Sequence, residues 1–155
     1  ALYLLRRYSG EPEKIAQARE LLRFAEDQFV SWKDPFTADG RGPLTGDTTM
    51  LPRASKESWY GLPGAFEQYD WYLPIDGSAA KMIRLYLALY RAEGCALDLS
   101  KARALGNAVT HIQRIAGNGA IPTHWVKWDV ETDARHWINC GIETARTLEE
   151  LESFE

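Results

Sequence analysis

Apolar residues recur along this chain at helical spacing. From Glu13 to Trp32 they fall at Ile15, Ala18, Leu22, Ala25, Phe29 and Trp32. Steps of three and four put them on one face, with charge on the other, which predicts an amphipathic helix. Before it, Leu2 to Tyr8 reads as the tail of a helix that Ser9-Gly10 closes, and Pro12 suits the first turn of the next. Asp76 to Ala92 is apolar nearly all round, through Ala79, Ala80, Met82, Ile83, Leu85, Leu87, Ala88 and Leu89. Such a helix is buried. Gly94 ends it. Asp98 is placed to cap a further helix to about Ile115, with Leu99, Ala102, Leu105, Val109 and Ile112 on one face. A last helix is expected from about His136 to Leu151, with Ile138, Ile142, Ala145, Leu148 and Leu151 facing inward. The fold class is therefore all-α, in one domain over residues 1–155.

Two long stretches interrupt the helices. Lys33 to Ser58 is rich in Gly, Pro, Asp and Thr and has no periodicity, and Ala116 to Ala134 is again a loop. Loops of that length are usually functional or mobile. The stretch Trp59 to Ser78, WYGLPGAFEQYDWYLPIDGS, crowds aromatic rings and carboxylates into a Gly/Pro-broken segment just before the most apolar helix.

The chain also repeats itself. Leu2 to Arg19 (LYLLRRYSGEPEKIAQAR) aligns with Leu85 to Arg103 (LYLALYRAEGCALDLSKAR), so that Gly10 matches Gly94 and Ala18 matches Ala102. The unit is a buried helix, a short Gly turn, an amphipathic helix and a long loop. Arrays of such hairpins bury a core that no single hairpin can bury alone. The pattern LYLALYRAEG followed by DLSKARAL, echoed near the start over roughly two thirds of the chain, resembles the six-hairpin glycosidase superfamily, the (α/α)6 toroids. The resemblance implies that these residues form about half a toroid, the C-terminal portion of a larger barrel. The missing Met and the opening inside a helix are expected of a piece of a longer protein. It implies too that the ligand cleft lies at the mouth shaped by the loops entering the inner helices, here Lys33 to Ile75 and Ala116 to Arg135.

Those loops carry the candidate chemistry. Trp59, Tyr69, Trp71, Tyr72 and Trp125 are flat platforms for the CH faces of sugars, and Gln68 and His124 exchange hydrogen bonds with hydroxyls. Glycoside hydrolysis needs two carboxyl groups facing one bond. Glu67, among rings that raise its pKa, is the first choice for the acid, and Asp70 for its partner. Asp76 is an alternative partner, although an N-cap is its commoner use. Asp129, Glu131 and Asp133 are further alternatives. The bland reading of the rings is that they wedge the long loop onto the helices. His111 reads as structural or exposed. His136 can serve the site or pack beside it.

The expected activity is a glycoside hydrolase on oligo- or polysaccharide. A polysaccharide lyase would use Tyr69, Tyr72, His124 and Arg135, and a sugar epimerase or isomerase would use His124 and His136. A non-catalytic glycan-binding or interaction domain is the third class.

Composition narrows this only slightly. The 155 residues are 45% hydrophobic and 26% charged, which is ordinary for a globular protein. A net charge of −4 without a basic block speaks against nucleic acid. Aromatics reach 12%, with six Trp and seven Tyr, enough for a large core, for ligand platforms or for both. Cys95 and Cys140 lie in no CxxC or Cys/His cluster, so no zinc site is signalled, and two partly buried thiols are favoured over a disulfide. No cofactor is implied; a cation held by Asp129, Glu131 and Asp133 stays open. No apolar run is long enough to cross a membrane. The expected partner is a carbohydrate. Exposed inner-helix surface adds self-association or the rest of the toroid. The sequence assigns no compartment.

Overall fold

The computed structural model describes residues 1–32, 63–65, 76–112 and 138–154. They form five helices, α1 (Leu2–Arg7), α2 (Pro12–Phe29), α3 (Asp76–Glu93), α4 (Ala96–Ile112) and α5 (Ile138–Glu152), with one short pairing between β1 (Val30–Ser31) and β2 (Gly64–Ala65). The chain is all-α in class.

Pro12 opens α2, where a missing N–H costs nothing. The helix stops at Phe29, short of the expected Trp32. Val30 is extended (φ −121°, ψ 131°), a conformation that suits its β-branched side chain, and pairs antiparallel with Ala65. Trp32 still reaches the apolar side. Its ring lies 6.0 Å from that of Tyr86, and its Nε1 donates to Glu26 Oε1 at 3.1 Å.

α3 is central and touches the other four helices. Ala79, Ala80, Met82, Ile83, Leu85, Tyr86, Leu87 and Leu89 are all buried. A single stripe escapes: Lys81 and Arg91 are exposed, and Arg84 and Ala88 are half-buried. Gly94 closes the helix at φ 70°, its N–H bonded to Tyr90 O at 2.7 Å, a left-handed cap that only a residue without Cβ adopts freely. The matching turn after α1 closes differently. There Tyr8 ends the helix at φ −131° and donates its N–H to Leu4 O. The sequence repeat is thus a repeat of helices, joined by turns of different geometry.

α1, α3 and α5 lie side by side with α3 in the middle; α2 packs behind α1 and α3, and α4 behind α3 and α5. Two-layer packing of this kind lets each amphipathic stripe face one core. That core joins Leu5, Ala18 and Leu22 to the buried face of α3, to Ala102, Leu105, Ala108 and Val109 of α4, and to Leu151 of α5.

Two polar clusters stitch the hairpins together. Asp98 lies inside the first turn of α4, not ahead of it as a cap. Its carboxylate takes a two-pronged bond from Arg19, 2.7 Å on each side, and Arg19 also pairs with Glu93. The hydrogen bond to Asp98 raises the Arg19 guanidinium pKa above its already high value. In the second cluster, Glu26 accepts from Tyr86 Oη at 2.9 Å and from Trp32, and pairs with Lys101. The Lys101 ammonium lies 5.3 Å from the centre of the Trp32 ring, which adds a cation–π attraction.

α5 corrects the expected inner face. Ile142 is 46% exposed and Ala145 is exposed, whereas Thr144 and Thr147 are 1% exposed. Threonine is buried here because its hydroxyl is satisfied: Thr147 donates to Glu143 O at 2.8 Å, and Thr144 to Asp76. Small residues let the helices approach closely. A Cβ on Gly77 would stand 2.9 Å from Cys140 Sγ. Cys95 and Cys140 are half-buried and do not form a disulfide.

Candidate functional site

The site is organised by the start of α3 and the start of α5. Arg84 of α3 bonds Glu143 of α5 at 3.2 Å, and Arg91 bonds Glu150 at 2.5 Å. Each partner of the second pair lies seven residues beyond its counterpart in the first, so the two helices run parallel. Gly77 stands level with Cys140, and Asp76 with Thr144. α3 and α5 therefore begin at the same end of the layer. The chain enters α3 from residues 66–75 and α5 from residues 113–137, the segments whose aromatic and acidic content is described above.

The candidate catalytic residues Glu67 and Asp70 lie outside the described residues, as do Trp59, Gln68, Tyr69, Trp71, Tyr72, His124 and Trp125. The same holds for Asp129, Glu131, Asp133, Arg135 and His136. His111 falls on α4. Among the described residues no group of three or more His, Cys, Asp or Glu is placed to hold a metal ion, and no helix is long and apolar enough to cross a membrane.

Asp76 is the one candidate carboxylate from these stretches that is described. It is the first residue of α3 and is 1% exposed. Its Oδ2 accepts from Thr144 Oγ1 at 3.0 Å, and backbone N–H groups of the helix start also donate to the carboxylate. Burial pushes its pKa above the ordinary aspartate value, and the neighbouring charge of Glu143 pushes the same way. The hydrogen bonds from Thr144 and the backbone only partly offset this. A carboxyl so enclosed does not reach a sugar. It combines a capping role with a brace between α3 and α5, directly beneath the end where the two segments enter.

A second feature has no counterpart in the sequence reading. Two adjoining hollows run along the exposed stripe of α3. One, about 380 Å³, lies against α5 and is lined by Arg84, Ile142, Glu143, Arg146 and Glu150 among others. The other, about 410 Å³, lies against α1 and is lined by Leu2, Arg6, Arg84, Ala88, Arg91 and Glu150 among others. Arg84 and Glu150 belong to both. The signal was present in the sequence. Lys81, Arg84 and Arg91 break an otherwise apolar helix on one side, and Glu143, Arg146 and Glu150 follow each other at helical spacing. Each set reads as solvated surface until the two helices are known to be neighbours.

The geometry and the residue chemistry stand by themselves here, since no protein family, curated protein or solved structure matches the chain.

Proposed function

We propose that the chain is an arc of an (α/α) toroid of the six-hairpin glycosidase type and that it acts on carbohydrate as a glycoside hydrolase. The observation that supports this is the common starting end of α3 and α5, fixed by Gly77 against Cys140 and by the Asp76–Thr144 bond. Two segments rich in Trp, Tyr, Asp and Glu join the helices at that end, as the mouth of a sugar cleft requires. In this reading Glu67 donates a proton to the leaving glycosidic oxygen, and Asp70 activates water or attacks the anomeric carbon. Trp59, Tyr69, Trp71, Tyr72 and Trp125 stack on sugar faces, and Gln68 and His124 bond hydroxyls.

The test is an oligosaccharide activity screen on the protein and its Glu67→Gln variant. Cleavage lost in the variant with binding retained supports the hydrolase and its acid. Cleavage that persists moves the chemistry elsewhere: to the acids of residues 129–133 for hydrolysis, or, where the product absorbs in the ultraviolet, to a lyase using Tyr69, Tyr72 or His124. Epimerised product without cleavage assigns the epimerase reading. Binding without turnover in either protein leaves a glycan-binding domain.

A further inference from the structure

Four arginines line the paired hollows, Arg6, Arg84, Arg91 and Arg146, against two glutamates, Glu143 and Glu150. This is a local excess of positive charge on a chain whose net charge is −4. Arg84 and Arg91 are neutralised by Glu143 and Glu150. Arg6 and Arg146 are exposed and have no acidic partner among the described residues. Arg146 stands one helical turn from both Glu143 and Glu150 and pairs with neither, because each glutamate is turned across to α3. The lining is mixed: Ile142 adds an apolar patch to the first hollow and Leu2 and Ala88 to the second, and Ile142 is the exposed isoleucine that the packing of α5 leaves over.

We propose that the two hollows form one groove for an acidic oligosaccharide, whose carboxylate or sulfate groups bind Arg6 and Arg146. A guanidinium fork matches a carboxylate or a sulfate edge with two parallel bonds, and the described residues leave two such forks without an acidic partner. The apolar patches of Ile142, Leu2 and Ala88 suit the CH faces of a sugar ring, and Glu143 and Glu150 can accept from its hydroxyls. The hydroxyl-accepting carboxylates favour a sugar over a polyphosphate, which has no hydroxyls to offer them. The inference takes its ligand class from the carbohydrate reading above, but needs none of the catalytic assignments.

The experiment is calorimetric titration of the protein, Arg6→Gln and Arg146→Gln with four probes: a uronate oligosaccharide, a sulfated oligosaccharide, a neutral oligosaccharide of equal length, and inorganic sulfate. One or both acidic oligosaccharides should bind, more weakly as salt is added, and each variant should bind about tenfold more weakly, the loss of one charge-assisted contact. Neither arginine holds the fold, so both variants should melt with the parent protein. Whichever acidic probe binds names the group recognised. Neutral and acidic oligosaccharides binding alike, with no effect of either variant, would overturn the groove and leave the carbohydrate reading intact. Inorganic sulfate binding as tightly as the oligosaccharides would overturn the sugar as ligand, and no binding of either acidic probe would overturn the proposal outright. Acidic oligosaccharide bound but never cleaved supports the groove while the hydrolase reading fails.

Discussion

Glu26 and Asp76 are carboxyls set into the same small protein with opposite consequences. Burial acts on both. At Glu26 it is outweighed by Lys101, Tyr86 and Trp32, which together hold the carboxyl below its ordinary value. At Asp76 the donors are all neutral, and burial prevails. Glu26 therefore contributes stability at pH above the ordinary glutamate range, lost as pH falls through its lowered pKa. Replacing it with Ala strands the Lys101 charge and the Tyr86 hydroxyl, with an expected cost of about 2–3 kcal/mol. Tyr86→Phe removes one bond and fills the same space, and should cost about 1 kcal/mol. Denaturant unfolding of the two variants checks the order; equal losses would mean that Lys101 finds water instead. Asp76 runs the other way. Its raised pKa favours the fold below about pH 4, where unfolded aspartate is protonated as well, and that advantage is lost as pH rises through the folded value. Asp76→Asn should therefore gain on the parent in thermal melts as pH rises from acid towards neutral. Parallel melting curves would show that Asp76 ionises without penalty.

Helix positions were legible in the sequence wherever apolar residues carried the period. α2 and α3 begin within a residue of expectation, and the near-continuous burial of α3 follows from its composition. Most of the errors share one cause, a polar group or backbone segment placed by a partner far along the chain. Asp98 reads as a cap until Arg19 is brought across from α2. Thr144 falls off the expected inner face of α5 until Asp76, 68 residues away, satisfies its hydroxyl; Thr147 is the local exception, satisfied within its own helix by Glu143 O. Val30 reads as helix until Ala65 offers it a strand. Close approach is equally invisible to periodicity, and it makes a testable demand on the α3–α5 contact. Gly77→Ala would drive a methyl to 2.9 Å from Cys140 Sγ and 3.2 Å from its Cβ. Separating the helices should cost about 1–3 kcal/mol. Gly106→Ala would meet the Leu151 side-chain tip at 2.6 Å, a group that can rotate aside, and should cost less. Adding Cys140→Ala to Gly77→Ala removes the sulfur contact and should recover part of the loss in denaturant midpoint. No recovery would place the strain in the backbone.

At the scale of the molecule, the sequence offers candidate chemistry for a site but no geometry. The sequence marks Glu67, Asp70 and the rings around them because carboxylates and aromatics are rare together in a Gly/Pro-broken stretch. Those residues lie outside the described ones, and the order of the layer beside them in the chain, α1, α3, α5, appears only once the helices pack. The charged groove depends on it entirely, since Arg6, Arg84 and Arg146 come from three helices.

The Arg84–Glu143 and Arg91–Glu150 pairs have one more consequence. They sit two turns apart, about 10 Å along each helix. If α5 slid along α3 by a single turn, both pairs would break together. A slide of two turns would restore one of them, by setting Arg84 opposite Glu150 or Arg91 opposite Glu143. The contact thus works as a ratchet with coarse teeth, which disfavours small axial slips and leaves tilting about the Gly77–Cys140 contact as the motion that keeps both pairs. Any opening or closing between these hairpins is then a hinge motion, and the first residues of α3 and α5 stay level with each other throughout it.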